Sequence, residues 1–164
     1  MSITFTARDI YEMARQIEEN GAQFYRDAAK IFPDRATCEV LLDLAGQEDG
    51  HRDIFEGMRV ALREGADLQW ENYPPETLRY LRAFASGEIF DLKGGAAAEL
   101  HASMSPGEIL IAAVGKERDA ILFYIGMKDL AITSADSEKI DAVIQEEKRH
   151  ITILLDQIEE HGGI

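Results

Sequence analysis

The chain has a single cysteine, Cys38, among its 164 residues. One thiol excludes a disulfide framework within the chain and any zinc or iron site built from four cysteines. An iron–sulfur electron relay would therefore have to come from elsewhere. No run approaches about eighteen apolar residues, and Met1 to Ile10 lacks the basic-then-apolar layout of a signal peptide, so a soluble, cytoplasmic protein is expected. Positive charge is scarce: 17 Lys and Arg face 31 Asp and Glu, a net charge of −14. Nucleic acid and anionic membranes would be repelled by such a surface, whereas cations would be drawn to it. With 46% apolar residues, the length corresponds to one ordinary domain that can bury a core without disulfides or a structural metal.

Histidine is also sparse, with four in the chain, and two of them belong to a repeat. Glu18, Phe24, Tyr25, Glu48 and His51 recur ninety-nine residues later, in order and without slip, as Glu117, Phe123, Tyr124, Glu147 and His150. The midpoint between Glu18 and Glu48 is Pro33, in a Phe-Pro-Asp break that offers Asp34 as an N-cap. The midpoint between Glu117 and Glu147 is Ile132, just before Thr133 and Ser134. Each half then reads as an αα-hairpin. Fifteen residues on either side of a turn, at about 1.5 Å rise, place both acidic residues of a hairpin at one height, roughly 22 Å from the turn.

The remaining signals give an all-α chain with helices over about 6–31, 34–64, 106–130 and 137–160. Thr6 with Asp9 opens the first helix. Ser105, Pro106 and Glu108 form a capping box with proline at the first helical position of the third. Gly65 closes the second helix and Gly162–Gly163 the fourth. Residues 65–105, with Pro74–Pro75 and one short helical stretch over 75–85, form the connection. For the acidic residues of all four helices to meet, the third helix must re-enter from the end where the second entered. That arrangement is a four-helix bundle with a long crossover.

Glu-x-x-His places a carboxylate and an imidazole on one side of a helix, able to bind one metal ion. A lone glutamate is usually solvated, and a lone Glu-x-x-His is frequent and uninformative. Four glutamates at one level among Ile, Leu, Val and Phe are different, because each buried charge costs several kcal/mol unless a cation compensates. Oxygen and imidazole donors without thiolate suit iron or manganese, with zinc also compatible. Tyr25 and Tyr124, seven residues after Glu18 and Glu117, lie two turns along the same face, where their phenols can hold carboxylates in place. Glu19, Asp49 and Glu146 point about 100° away and are expected to be solvated. Glu88, Glu99 and His101 lie in the crossover and are expected at the surface. Cys38, Met58, Met104 and Met127 are expected to be core or loop filler.

A glutamate with a tyrosine seven residues on, then Glu-x-x-His, given twice across a long crossover, resembles the ferritin-like superfamily and within it the rubrerythrin-like proteins. The resemblance covers nearly the whole chain, through IEENGAQFYRDAA, GKERDAILFY, QEDGHRDIF and QEEKRHITIL. It implies a ferritin-like bundle holding two Fe ions on Glu18, Glu48, His51, Glu117, Glu147 and His150. Glu48 and Glu147 are expected to bridge, because each must serve its own helix's histidine and the facing ion, and Glu18 and Glu117 to be terminal or shifting ligands. The resemblance further implies reduction of hydrogen peroxide with electrons from an external donor such as a rubredoxin or a flavoprotein, in a homodimer or larger assembly. Ferroxidase chemistry, oxidising Fe(II) with dioxygen, is the alternative, and a non-catalytic, metal-stabilised helical interaction protein is a third reading. The chain departs from full rubrerythrins in lacking the four-cysteine iron domain. It also lacks their extra carboxylate near Glu117, where the inner face offers Ala113, Val114 and Ala120.

Overall fold

Thr6 and Asp9 satisfy each other's backbone at the start of the first helix: Asp9 N–H donates to Thr6 Oγ1 (3.2 Å) and Thr6 N–H to Asp9 Oδ2 (2.8 Å). The computed structural model describes residues 6–62, 74–85, 100–131 and 133–163. Within them the chain is all-α: α1 (Ala7–Ile31), α2 (Arg35–Ala61), α3 (Pro75–Ala85), α4 (Pro106–Lys128) and α5 (Ser134–Glu160). Proline at 33 disfavours helical backbone at Phe32, which is extended and ends α1. Asp34 then caps α2 by accepting from Thr37 N–H at 2.8 Å. Ser105 and Glu108 close the expected reciprocal box at α4, with Pro106 at its first position.

Two boundaries differ from the sequence reading. α5 begins at Ser134 rather than near 137, because the Thr133 hydroxyl accepts from Asp136 N–H at 3.0 Å and caps the helix earlier. α2 ends at Ala61, with Leu62 already extended, rather than running to 64. Residues 63–65 and Ile132 lie outside the described residues. At the end of α5, Gly162 and Gly163 adopt φ of +100° and +75°, and their N–H groups reach back to Glu159 O and Ile158 O.

α1 packs along α2 and α4 along α5, with α1 also meeting α4 and α2 meeting α5. The core falls into two apolar clusters. One joins Ile10, Ala14 and Ile17 of α1 to Phe55 and Met58 of α2, Phe123 and Met127 of α4, and Ile140 and Val143 of α5. The other joins Phe24 and Ala28, Leu41 and Leu44, Leu110 and Ala113, and Leu154 and Ile158. Reading each helix through the two clusters shows that α1 runs parallel to α5 and α2 parallel to α4. The connection from α2 to α4 therefore travels the length of the bundle, as expected. Part of it, α3, lies against α4: the Tyr80 hydroxyl donates to Leu122 O (2.8 Å), and a Cβ at Gly126 would come within 2.7 Å of the Tyr80 ring. Among the described residues, no helix is long and apolar enough to cross a membrane.

Candidate metal centre

Between the two apolar clusters every long helix contributes to one polar layer. Glu18 lies between Ile17 and Phe24, Glu48 and His51 between Ala45 and Phe55, Glu117 between Ala113 and Ala120, and Glu147 and His150 between Ile144 and Leu154. All six are at most 3% exposed. The periodicity that makes each helix amphipathic turns these charged residues into the core, because they occupy apolar-face positions.

The layer divides into two overlapping groups. Glu18, Glu48, His51 and Glu147 bring one donor atom each within 4.8 Å of one another, and so do Glu48, Glu117, Glu147 and His150. His51 Nδ1 is 3.1 Å from Glu147 Oε1 and 3.5 Å from Glu18 Oε2. His150 Nδ1 is 2.9 Å from Glu147 Oε2, 3.0 Å from Glu48 Oε1 and 3.3 Å from Glu117 Oε1. The imidazoles stack with centroids 5.6 Å apart. Glu48 and Glu147 belong to both groups; Glu18 and Glu117 belong to one each.

A second ring of contacts steadies these side chains across the bundle. The Tyr25 hydroxyl donates to Glu117 and the Tyr124 hydroxyl to Glu18, so the tyrosine of each hairpin holds the first glutamate of the other. The outer nitrogens of the histidines are also held from the opposite hairpin. His51 Nε2 lies 2.7 Å from Glu146 Oε2, and His150 Nε2 lies 3.1 Å from Gln47 Oε1.

Glu146 corrects the sequence reading: its side chain is 43% exposed, yet a long glutamate leaning back from the helix flank reaches His51. Asp49 and Glu19 stay on the surface in ion pairs, Asp49 with Arg26 and Arg52, Glu19 with Arg15. Gln47 drew no attention in the sequence, although it occupies the place in the first repeat that Glu146 holds in the second. His101 is exposed and bonds Ser103, while Glu88 and Glu99 lie outside the described residues. Met58 and Met127 are buried in the core. Met104 and Cys38 pack partly buried against it, and the Cys38 thiol donates to Ala29 O.

The electrostatics of the layer follow from burying four carboxylates together. Burial, then the charges of Glu117 and Glu18, hold the Glu48 carboxyl well above the usual range. Burial with Glu18 and Glu117 pushes Glu147 to about 8, against the pull of the His150 and His51 rings beside it. Burial alone would lower both histidines, but the surrounding carboxylates prevail and raise His51 to about 11 and His150 to about 9. Burial and neighbouring negative charge hold the Tyr25 and Tyr124 phenols far above their ordinary value. Glu146, outside the layer, is lowered by its bond to His51. The layer thus attracts positive charge. Five buried side-chain polar atoms among the described residues have no hydrogen-bond partner, and four of them are Glu18 Oε2, Glu48 Oε1, Glu147 Oε2 and His150 Nδ1. Unpartnered oxygens and an imidazole nitrogen converging in an apolar core are the donor set that two divalent cations require.

A cavity of about 20 Å³ reaches the layer between α1 and α4, past Asn20, Gly21 and Lys116 to Tyr25, Glu48 and Glu117. It is large enough for a single water-sized molecule. Gly21 provides clearance there, because a Cβ at this position would lie 2.6 Å from Glu48 Oε2. The sequence signal was a glycine in mid-helix, where it costs about 1 kcal/mol relative to alanine.

No family model and no curated protein matches the chain. Among solved structures it is similar to a Thermotoga maritima protein described as a ferritin-like diiron-carboxylate protein, at 24% identity over 98% of this chain and 99% of the other, with a TM-score of 0.69. It is also similar to a manganese catalase from Anabaena, at 19% identity over 99% of this chain and 76% of the other, with a TM-score of 0.67. The buried Glu and His layer thus sits in an all-α bundle with the ferritin-like fold.

Proposed function

We propose that the chain is a di-iron protein of the rubrerythrin-like type that reduces hydrogen peroxide with electrons from an external donor. The observation that carries this reading is the pair of four-residue donor groups sharing Glu48 and Glu147. Glu18 and His51 would hold one ion, Glu117 and His150 the other, and Glu48 and Glu147 would bridge them. When bound, two ferrous ions supply one electron each, the two that hydrogen peroxide needs, with two protons, to become two waters.

The chain's own residues support that chemistry in three ways. Tyr25 and Tyr124, held protonated by their surroundings, keep donating to Glu117 and Glu18 and so orient the terminal carboxylates. The apolar clusters above and below the layer keep bulk water away from it. The cavity beside Gly21 gives a water-sized molecule room next to Tyr25, Glu48 and Glu117. Sustained turnover would draw its electrons from an external donor of rubredoxin or flavoprotein type in the cytoplasm. Oxygen and imidazole donors suit manganese as well as iron, and the solved relatives include a manganese catalase.

A second reading, Fe(II) oxidation by dioxygen in iron handling, draws on the net charge of −14, which concentrates cations at the surface. Stopped-flow mixing of the anaerobic, Fe(II)-loaded protein with each oxidant separates the two. Peroxide reduction predicts rapid single-turnover oxidation by hydrogen peroxide, slower oxidation by dioxygen, and sustained turnover only with added reductant. Faster reaction with dioxygen, followed by growth of a ferric mineral, would establish the ferroxidase instead.

A further inference from the structure

Gln47 and Glu146 immediately precede the two shared glutamates and stand ninety-nine residues apart, at matching places in the two hairpins. Each crosses the bundle to the outer nitrogen of the opposing histidine: Glu146 Oε2 lies 2.7 Å from His51 Nε2 and Gln47 Oε1 lies 3.1 Å from His150 Nε2. The amide orientation of Gln47 is set independently, because its Nε2 donates to Asp43 Oδ2 at 2.9 Å and leaves Oε1 to accept from His150. Both contacts therefore engage the outer Nε2 and leave Nδ1 facing the layer. They differ in charge, since one acceptor is an anion and the other a neutral amide.

Resting on the dinuclear reading, we propose that Glu146 and Gln47 are positioning residues that make the two metal sites unequal. The group containing His51 and Glu18 takes its divalent cation first and holds it more tightly than the group containing His150 and Glu117. A ring N–H bonded to a carboxylate makes a shorter, stronger hydrogen bond than one bonded to an amide and pushes more electron density onto the metal-facing nitrogen. Each terminal glutamate accepts one tyrosine hydroxyl and Glu48 and Glu147 belong to both groups, while on the metal-facing side His150 Nδ1 has one carboxylate oxygen more beside it, Glu48 Oε1 at 3.0 Å, than His51 Nδ1 has.

The test uses zinc alone as the probe, added stepwise to the metal-free, ¹⁵N-labelled protein. Direct ligation shifts the Nδ1 resonance of the ring that binds far more than that of the neighbouring ring, which feels the ion through the shared glutamates. His51 is expected to shift first, with stepwise affinities about tenfold apart, the lower end of what such outer partners contribute. Exchanging the partners in Gln47→Glu/Glu146→Gln preserves composition and charge and should reverse the order, so that His150 shifts first. Glu146→Gln alone should bring the two affinities together, which provides a second reading if the exchanged protein folds poorly. Two zinc ions bound with His51 still first in the exchanged protein, or simultaneous shifts in the unaltered one, would overturn the assignment while leaving the dinuclear site intact. Fewer than two zinc ions bound by the unaltered protein would overturn the dinuclear reading and this one with it.

Discussion

The α1–α2 and α4–α5 hairpins agree in every group that faces the centre of the polar layer and diverge in the groups just outside it. Glu18 and Glu117, Glu48 and Glu147, His51 and His150, and Tyr25 and Tyr124 are matched in identity, and each tyrosine holds the first glutamate of the other hairpin. Around them Gln47 stands opposite Glu146, Gly21 opposite Ala120, and Ile17 opposite Lys116. Identical inner groups keep two cation sites of the same chemistry, because the carboxylates and imidazoles must balance the same charge in the same apolar core. The outer groups are under no such requirement. A cavity opens past Gly21 to Glu48 and Glu117, on the side of the layer where Lys116 and Ala120 lie.

The largest expected effect separates shared from unshared glutamates. Glu48→Ala or Glu147→Ala removes a donor from both groups and should reduce metal content from two ions per chain to nearly none. Glu18→Ala or Glu117→Ala should leave about one. Elemental analysis after desalting measures this, and equal losses from all four variants would show that the hairpins do not share their second glutamates.

A pH series on the metal-free protein is expected to show a smaller change. Glu147, raised from 4.5 to about 8, and His150 and His51, raised from 6.5 to about 9 and 11, all favour the protonated form in the fold. Such groups stabilise fully below their unfolded values and lose that contribution as pH rises through the folded ones. The metal-free melting temperature should therefore fall from pH 5 to pH 9, by about 5 °C or more. The metal-loaded protein should resist the fall, because cations replace those protons and bind better as the ligands deprotonate. Parallel melting curves for the two forms across that range would contradict the proposed exchange of protons for metal.

The smallest expected effect compares Gly21 with its counterpart Ala120. Gly21→Ala places a Cβ where Glu48 Oε2 now lies. It should weaken metal binding about tenfold, while the roughly 1 kcal/mol gained in helix propensity offsets the crowding in the metal-free fold. Ala120→Gly should do the reverse, costing about 1 kcal/mol of stability and leaving metal affinity unchanged. Titration calorimetry together with thermal melts distinguishes the two outcomes.

Much of this arrangement was legible before any coordinate. The ninety-nine-residue repeat, the break at Pro33 and the boxes at Thr6 and Ser105 are local signals, and each helix start follows from groups within three residues of it. The expected start near 137 lies three residues too late because Thr133, and no residue nearer the apolar run, caps the helix through Asp136 N–H. Glu146 was assigned to solvent because helical angle alone places it on the flank. A side chain with three rotatable bonds can still reach a partner on another helix, and only the partner's position shows that it does.

By itself the sequence determined the helices, the hairpin pairing and the six residues of the polar layer, since periodicity and equal spacing from a turn leave little freedom in where such residues lie. The tertiary structure decided which side chain holds each histidine, which tyrosine holds each terminal glutamate and where the cavity beside Gly21 meets the layer. Those depend on distances between helices far apart in the chain, on the direction in which α4 re-enters the bundle, and on the clearance of one Cβ at Gly21.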